Sequence, residues 1–377
     1  MKPKKKLLHI EAARFLCIFL VMFTHTSTEG FSLYLARQDS PWFPLYLMVP
    51  FWIKTAVPIF FMISGALLLG RDEPLSVIFR KRVSRFAIVL LLFSFINYIL
   101  AYSHMQPGEL LALLPHPLGL TYYVLSHISF GQYLFITYTA TMATAYYFLY
   151  IYIAFLLMLP FWRAMVRRLT NKDYLYLIAL NLTFVGVIPI VSYLIFKGSA
   201  NMNYFLNPLL AISEPTFYFI IGYWIEHVLP ASWLTKRNLA LLGAAALLGT
   251  IISGAMTVYH GEVNGALTEA ISERFYDSFL FLNVAFVYAL LRWWFLHHEV
   301  SHGTGRVLIF LGSVAFGIML FDDFLRRMTY GLFHNIILPA MPDFPLTAAF
   351  LWIICAFSAG IVLSYLIRLI PGMKKLI

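Results

Sequence analysis

Charge is scarce in this chain. Asp, Glu, Lys and Arg make up 12% of its 377 residues and hydrophobic residues 61%, against about 25% and 45–50% in a soluble domain. That balance excludes a water-soluble enzyme, because too few polar groups remain to clothe a soluble core. Cysteine is nearly absent. Cys17 and Cys355 are the only two, far apart and each inside an apolar run, which excludes a disulfide framework and leaves apolar filling as their use. No composition break marks a separate soluble unit, so residues 1–377 are expected to form one integral-membrane domain. Internal symmetry between the two halves is also missing.

What is present is a series of apolar stretches about 20 residues long, the length that crosses a bilayer as a helix. Ten are found, near 7–26, 47–69, 86–104, 143–162, 174–196, 206–228, 238–257, 278–297, 306–324 and 346–370. The expected fold class is therefore an all-α polytopic membrane protein, a ten-helix bundle. An even count puts both termini on one side, and basic residues say which. Connections on one side hold 20 of the 27 Lys and Arg, among them Lys2, Lys4, Lys5, Lys6, Arg71, Arg80, Lys81, Arg82, Arg85, Arg163, Arg167, Arg168, Arg368 and Lys374. The other side holds 6: Arg37, Lys54, Lys197, Arg274, Arg326 and Arg327. Both termini are expected in the cytoplasm. The net charge of +10 is then mostly topological, facing anionic lipid and not nucleic acid.

The start, "MKPKKK" before an apolar run, has the outline of a secretory signal. Glu11 and Arg14 interrupt that run, however, and no small-residue cleavage site follows, so a retained first helix is expected. Charge inside a span is costly and tends to be kept for a purpose. Arg14 and His25 are 11 residues apart, which on a helix is three turns plus about 20°, a shared face with about 16 Å between them. Glu11 lies one turn below Arg14 on the same side. One polar stripe thus runs from the cytoplasmic end of the first helix to His25 at the outer end. Periodicity alone leaves open a Glu-Arg pair with an interfacial His, or a site.

The residues themselves carry a resemblance. "IEAARFLCIFLVMFTH" is similar to the first helix of the membrane-bound acyltransferase-3 family, where an acidic residue, an Arg three positions on and a His after ten more recur; Glu11, Arg14 and His25 stand in those places. "VPIFFMISGALLLG" resembles that family's second-helix pattern, "FRKRVSR" its basic Arg-x-x-Arg run on Arg82 and Arg85, and "YFLYIYIAFLLMLP" its Trp-Phe-Leu-Tyr helix ending in Pro. "LGSVAFGIMLFDD" is similar to the C-terminal Ser-Phe-Gly-Ile-Tyr-Leu-x-His segment. Departures occur where the family's fourth-helix His and Trp fall on Ala145 and Tyr147, and where its ninth-helix Tyr and His fall on Met319 and Asp322.

The resemblance implies an O-acyltransferase, an O-acetyltransferase in most members, in a bacterial cytoplasmic membrane. It would move the acyl group of cytoplasmic acyl-CoA (acetyl-CoA) to a hydroxyl of a carbohydrate or lipid-linked glycan, with no permanently bound cofactor and no metal. A hydroxyl attacking a thioester needs a base titrating near neutrality, which His supplies. His25 is the expected general base, with a covalent acyl-His as the alternative. Arg14, with Glu11, is expected to serve the donor or shape its channel. Arg82 and Arg85 suit the nucleotide phosphates, or else simply flank the third helix.

Lys54, before "VPIFF", is expected either to stabilise a developing oxyanion or to snorkel to the interface. Ser64 and Gly65 are expected to serve helix packing and not nucleophilic attack. His104, His116 and His127 lie in a long outer connection without metal-ligand spacing. A glycan or lipid transporter or flippase would use the same cross-membrane polar path, and a pH-sensing membrane protein the same His; nothing positive in the sequence favours the latter.

Overall fold

The computed structural model describes residues 7–102, 137, 146–196, 206–268 and 275–377, and no strand occurs among them. Lys2, Lys4, Lys5, Lys6, His104, His116, His127, Ala145, Lys197 and Arg274 lie outside the described residues. Prolines and caps set several boundaries. Helix α1 (Leu8–Thr24) stops at His25, and α2 (Phe43–Ile53) opens with Pro44 in its first turn, where an amide would lack a partner. Pro58 sits in the first turn of α3 (Ala56–Leu68) and offers no donor to the carbonyl of Lys54, so the chain breaks at Lys54 and Thr55. Then follow α4 (Ser84–Tyr102), α5 (Tyr147–Val166), α6 (Asn171–Asn181), α7 (Ile188–Phe196) and α8 (Glu214–Tyr223). A Thr170–Asp173 capping box starts α6. The rest are α9 (Lys236–Asn264), capped by Thr235 and ended at left-handed Gly265, then α10 (Leu280–His297), α11 (His302–Leu320), α12 (Asp322–Leu332) and α13 (Pro345–Leu369).

By length and apolarity, 7 segments among the described residues can cross a membrane: Phe43–Leu68, Tyr147–Val166, Asn171–Phe196, Lys236–Asn264, Leu280–His297, His302–Leu320 and Pro345–Leu369. The expected spans at 7–26, 86–104 and 206–228 contain α1, α4 and α8, which are not among the seven. The reason is physical for two of them. Helix α1, 17 residues long, and α8, with 10, are core helices. Ile10, Ala13, Cys17, Ile18 and Met22 of α1 and Phe217, Phe219, Ile220 and Ile221 of α8 are all buried. Helix α1 packs on α3, α10, α11 and α13, so its charges meet protein and not lipid. The outer surface is apolar, with Phe161, Ile195, Leu241, Leu248 and Leu369 exposed, as hydrocarbon contact requires. Cys17 is a buried filler as expected, whereas Cys355 is exposed on α13.

Backbone contact joins α3 to α8. A Cβ on Gly65 would sit 1.8 Å from the Phe219 carbonyl oxygen, and one on Gly222 2.0 Å from that of Met62. Small residues are what allow such approach in membrane helices, which agrees with the packing role expected for Gly65. Gly222→Ala is therefore expected to lower stability by about 1–3 kcal/mol. The drop in melting temperature in detergent should be absent from Gly331→Ala, whose added carbon meets only Asn335 at 3.9 Å.

Candidate active site

His25 caps the C-terminal end of α1, its amide donating back to the Met22 carbonyl at 3.3 Å. The chain beyond is held by Thr26, whose hydroxyl donates to the Phe23 carbonyl (2.7 Å) and accepts from the Phe31 amide (2.9 Å). Across the bundle, His25 Nδ1 lies 2.6 Å from Asp322 Oδ2. Asp322 is buried in the first turn of α12, where a helix start favours negative charge. Arg326 clamps the pair: Nε donates to Asp322 Oδ1 (3.0 Å) and Nη1 to the His25 carbonyl (2.9 Å). A carboxylate facing a guanidinium can only accept, so Nδ1 carries a proton, and in the neutral ring Nε2 holds the lone pair. That is the tautomer a general base needs. His25 lines a chamber of about 40 Å³ with Thr24, Tyr147, Phe148, Phe60 and Met319.

At the other end of α1, Arg14 donates to both oxygens of Glu11 at 3.3 Å. Glu11 is buried against α11, where a Cβ on Gly312 would lie 2.1 Å from its carboxylate; glycine makes room for the acid. Arg14 lines a second cavity of about 450 Å³, together with Arg71, Arg82, Arg85, Arg368 and Lys374, and no Asp or Glu lines it among the described residues. Glu73, just outside, receives Arg82 (2.6 and 3.1 Å) and the buried Arg163 (3.0 Å). Arg163 also donates to the Leu68 carbonyl that ends α3. Arg85 and Arg368 hold neutral partners, the Leu376 carbonyl and the Ser313 hydroxyl, so their charge faces the cavity uncompensated. Arg71 (3.7 Å) and Arg82 are instead paired with Glu73, and Arg14 with Glu11; guanidinium groups in such number are the chemistry that suits an anion.

The two cavities share three lining side chains, Phe60, Phe148 and Met319. They are neighbouring compartments beside α1, a wide cationic one and a narrow one at the His25–Asp322 pair, with these three apolar side chains at their common boundary. Arg14 lines one and His25 the other, so the two ends of the α1 stripe each face a cavity.

A family model for an acyltransferase domain, acyltransferase-3, matches residues 7–369, nearly the whole chain. The chain belongs to the acyltransferase-3 family. No curated protein and no solved structure matches it. The family and the apolar helices together make this a multi-pass membrane acyltransferase.

Within this acyltransferase the structure brings Glu11, Arg14, Arg82 and Arg85 to one compartment's walls or rim and His25 to the other. Lys54 is not brought in. It ends α2, its ammonium lies 3.6 Å from Asp277, and it lines neither compartment. Ser64 donates to the Phe60 carbonyl (2.9 Å) with its residue on the cationic cavity wall, a helix-internal bond and not a nucleophile's geometry. Among the described residues no group of three His, Cys, Asp or Glu is placed to hold a metal. Asp322 and Arg326 were missed as site residues, as were Arg71, Arg368 and Lys374. A buried His9–Glu226–Arg292 cluster (3.2 and 3.5 Å) also went unread; it lines neither compartment.

Glu73 has a measurable signature. The Arg82 hydrogen bond, helped by that of Arg163 and by the charge of both, outweighs burial, which pushes the other way, and holds its carboxyl at about 2, below its ordinary 4.5. A depressed carboxyl contributes stability in full above its unfolded value and loses it as pH falls through the folded one. Melting temperature should therefore fall between about pH 4.5 and 2 in the wild type, and less steeply in Glu73→Gln, which starts lower at neutral pH.

Proposed function

We propose that this membrane acyltransferase is an O-acetyltransferase that takes the acetyl group of cytoplasmic acetyl-CoA and gives it to a hydroxyl of a surface or lipid-linked glycan, with His25 as general base. One observation carries the reading: a cationic cavity and a His–Asp chamber that share three apolar side chains as a common boundary, the neck. Acetyl-CoA is polyanionic at its nucleotide end and slender at its thioester. Arg71, Arg82, Arg85, Arg368 and Lys374 match the phosphates, and the arm would run past Arg14 toward His25. Apart from Arg14, the cations that line this cavity all belong to the side assigned to the cytoplasm by charge, which supports a donor entering from that side.

Chemistry follows from the pair. The acceptor hydroxyl gives its proton to His25 Nε2 as its oxygen attacks the thioester carbonyl; Asp322 holds the ring and balances the imidazolium. The tetrahedral adduct then breaks at the carbon–sulfur bond, and the thiolate leaves with the proton from the imidazolium. Lys54, occupied with Asp277, is assigned no part in stabilising the oxyanion. A flippase would need a passage wide enough for a sugar, and the neck does not favour that.

The test is radiolabelled acetyl transfer by purified protein in proteoliposomes carrying a membrane glycan extract. Label is expected on the glycan fraction only when the donor is acetyl-CoA. Glycan movement across the bilayer without acetyl-CoA and without label would replace this reading by transport.

A further inference from the structure

The neck has a size as well as a position. Phe148 is a braced wall, stacked with Phe61 (centroids 5.2 Å apart) and with Tyr152 (5.8 Å). Phe60 leans on the same ring at 5.8 Å. Met319, buried from α11, forms the softer wall; its unbranched side chain adapts where a ring cannot. Beyond them the chamber offers about 40 Å³ of water-accessible space against about 450 Å³ before them. At roughly 10–15 Å³ for each water-sized group, the chamber takes about three such groups. An acetyl group brings a methyl, a carbonyl carbon and an oxygen.

We propose that Phe60, Phe148 and Met319 form an acyl-length selector that admits an acetyl group to His25 and excludes chains of four carbons or more. This rests on the donor reading of the cationic cavity. A butyryl chain would need the space that the Phe148 ring fills, and that ring is held by two stacked neighbours. The selection is made after the nucleotide has bound, so it acts on the acyl end alone. A hydrophobic pocket discriminates by about 10–200-fold for each methylene it cannot place.

The experiment is equilibrium competition against radiolabelled acetyl-CoA, using purified protein in nanodiscs and CoA, acetyl-CoA, butyryl-CoA and hexanoyl-CoA as competitors. Wild-type protein is expected to bind butyryl-CoA at least about 10-fold more weakly than acetyl-CoA. Met319→Ala should narrow that gap about 10-fold while the affinity for CoA itself stays put. Phe60→Ala, at a half-buried position, should do the same and decides the matter if the Met319 variant does not fold. Equal competition by acetyl- and butyryl-CoA in the wild type overturns the selector. So does a gap unmoved in both variants, and in either case CoA binding leaves the donor reading standing. Failure of every CoA species to bind removes the donor reading and the selector with it.

Discussion

His25→Ala protein is expected to bind acetyl-CoA as the wild type does and to transfer acetyl about 10²–10⁴-fold more slowly, the usual worth of a positioned general base. The fold should survive, because Asp322, though buried, keeps the Arg326 guanidinium at 3.0 Å and is not left as an uncompensated charge. The same geometry gives a sharper variant. In Asp322→Asn the amide can donate to Nδ1, which forces the proton onto Nε2 and removes the base without removing the ring. Most of the His25→Ala loss should therefore appear in Asp322→Asn, and the two changes together should cost little more than either alone, as groups that act as a unit do. Single-turnover transfer and acetyl-CoA affinity, measured side by side, check this. Full transfer by either variant, or a loss confined to donor affinity, would take the pair out of the chemical step. An acetyl group trapped on wild-type His25 would change its role from base to nucleophile.

The second large effect concerns Arg14. Arg14→Ala alone is a poor probe, since it strands the buried Glu11 carboxylate, and breaking a buried pair from one side costs several kcal/mol for reasons unrelated to the donor. Removing both charges avoids this. Glu11→Gln/Arg14→Gln is expected to remain folded and to lose at least about tenfold in acetyl-CoA affinity, in line with about 1.5–3 kcal/mol for a hydrogen bond to a charged group. Wild-type affinity in the folded double variant would make the pair purely structural.

The stripe of Glu11, Arg14 and His25 was legible because helical spacing fixes which residues share a face, and α1 keeps that spacing from Leu8 to its end. Charge asymmetry pointed to one crowded cationic end for the same kind of reason, a count along the chain. Pairings across the bundle were not legible. Asp322 is 297 residues from His25, and its place in the chain suggested only a departure from a family pattern; the available hint was a pair of acids closing an apolar run, with Arg326 and Arg327 one turn on. Arg368 and Lys374 reach the cavity from the far end of the chain, where sequence showed no more than a cytoplasmic flank. Lys54, expected at an oxyanion or the interface, lies 3.6 Å from Asp277, a partner 223 residues away that spacing along the chain does not report. That α1 and α8 are buried within the bundle is also something hydropathy along one segment does not report.

The most direct test of a single donor path is a cryo-electron microscopy map of the protein with acetyl-CoA bound. Density is expected with the nucleotide phosphates against Arg82, Arg85 and Arg368, the arm alongside Arg14, and the thioester at the neck formed by Phe60, Phe148 and Met319. A nucleotide seated away from these arginines, or a thioester that stays remote from His25 while the protein is competent for transfer, would contradict it.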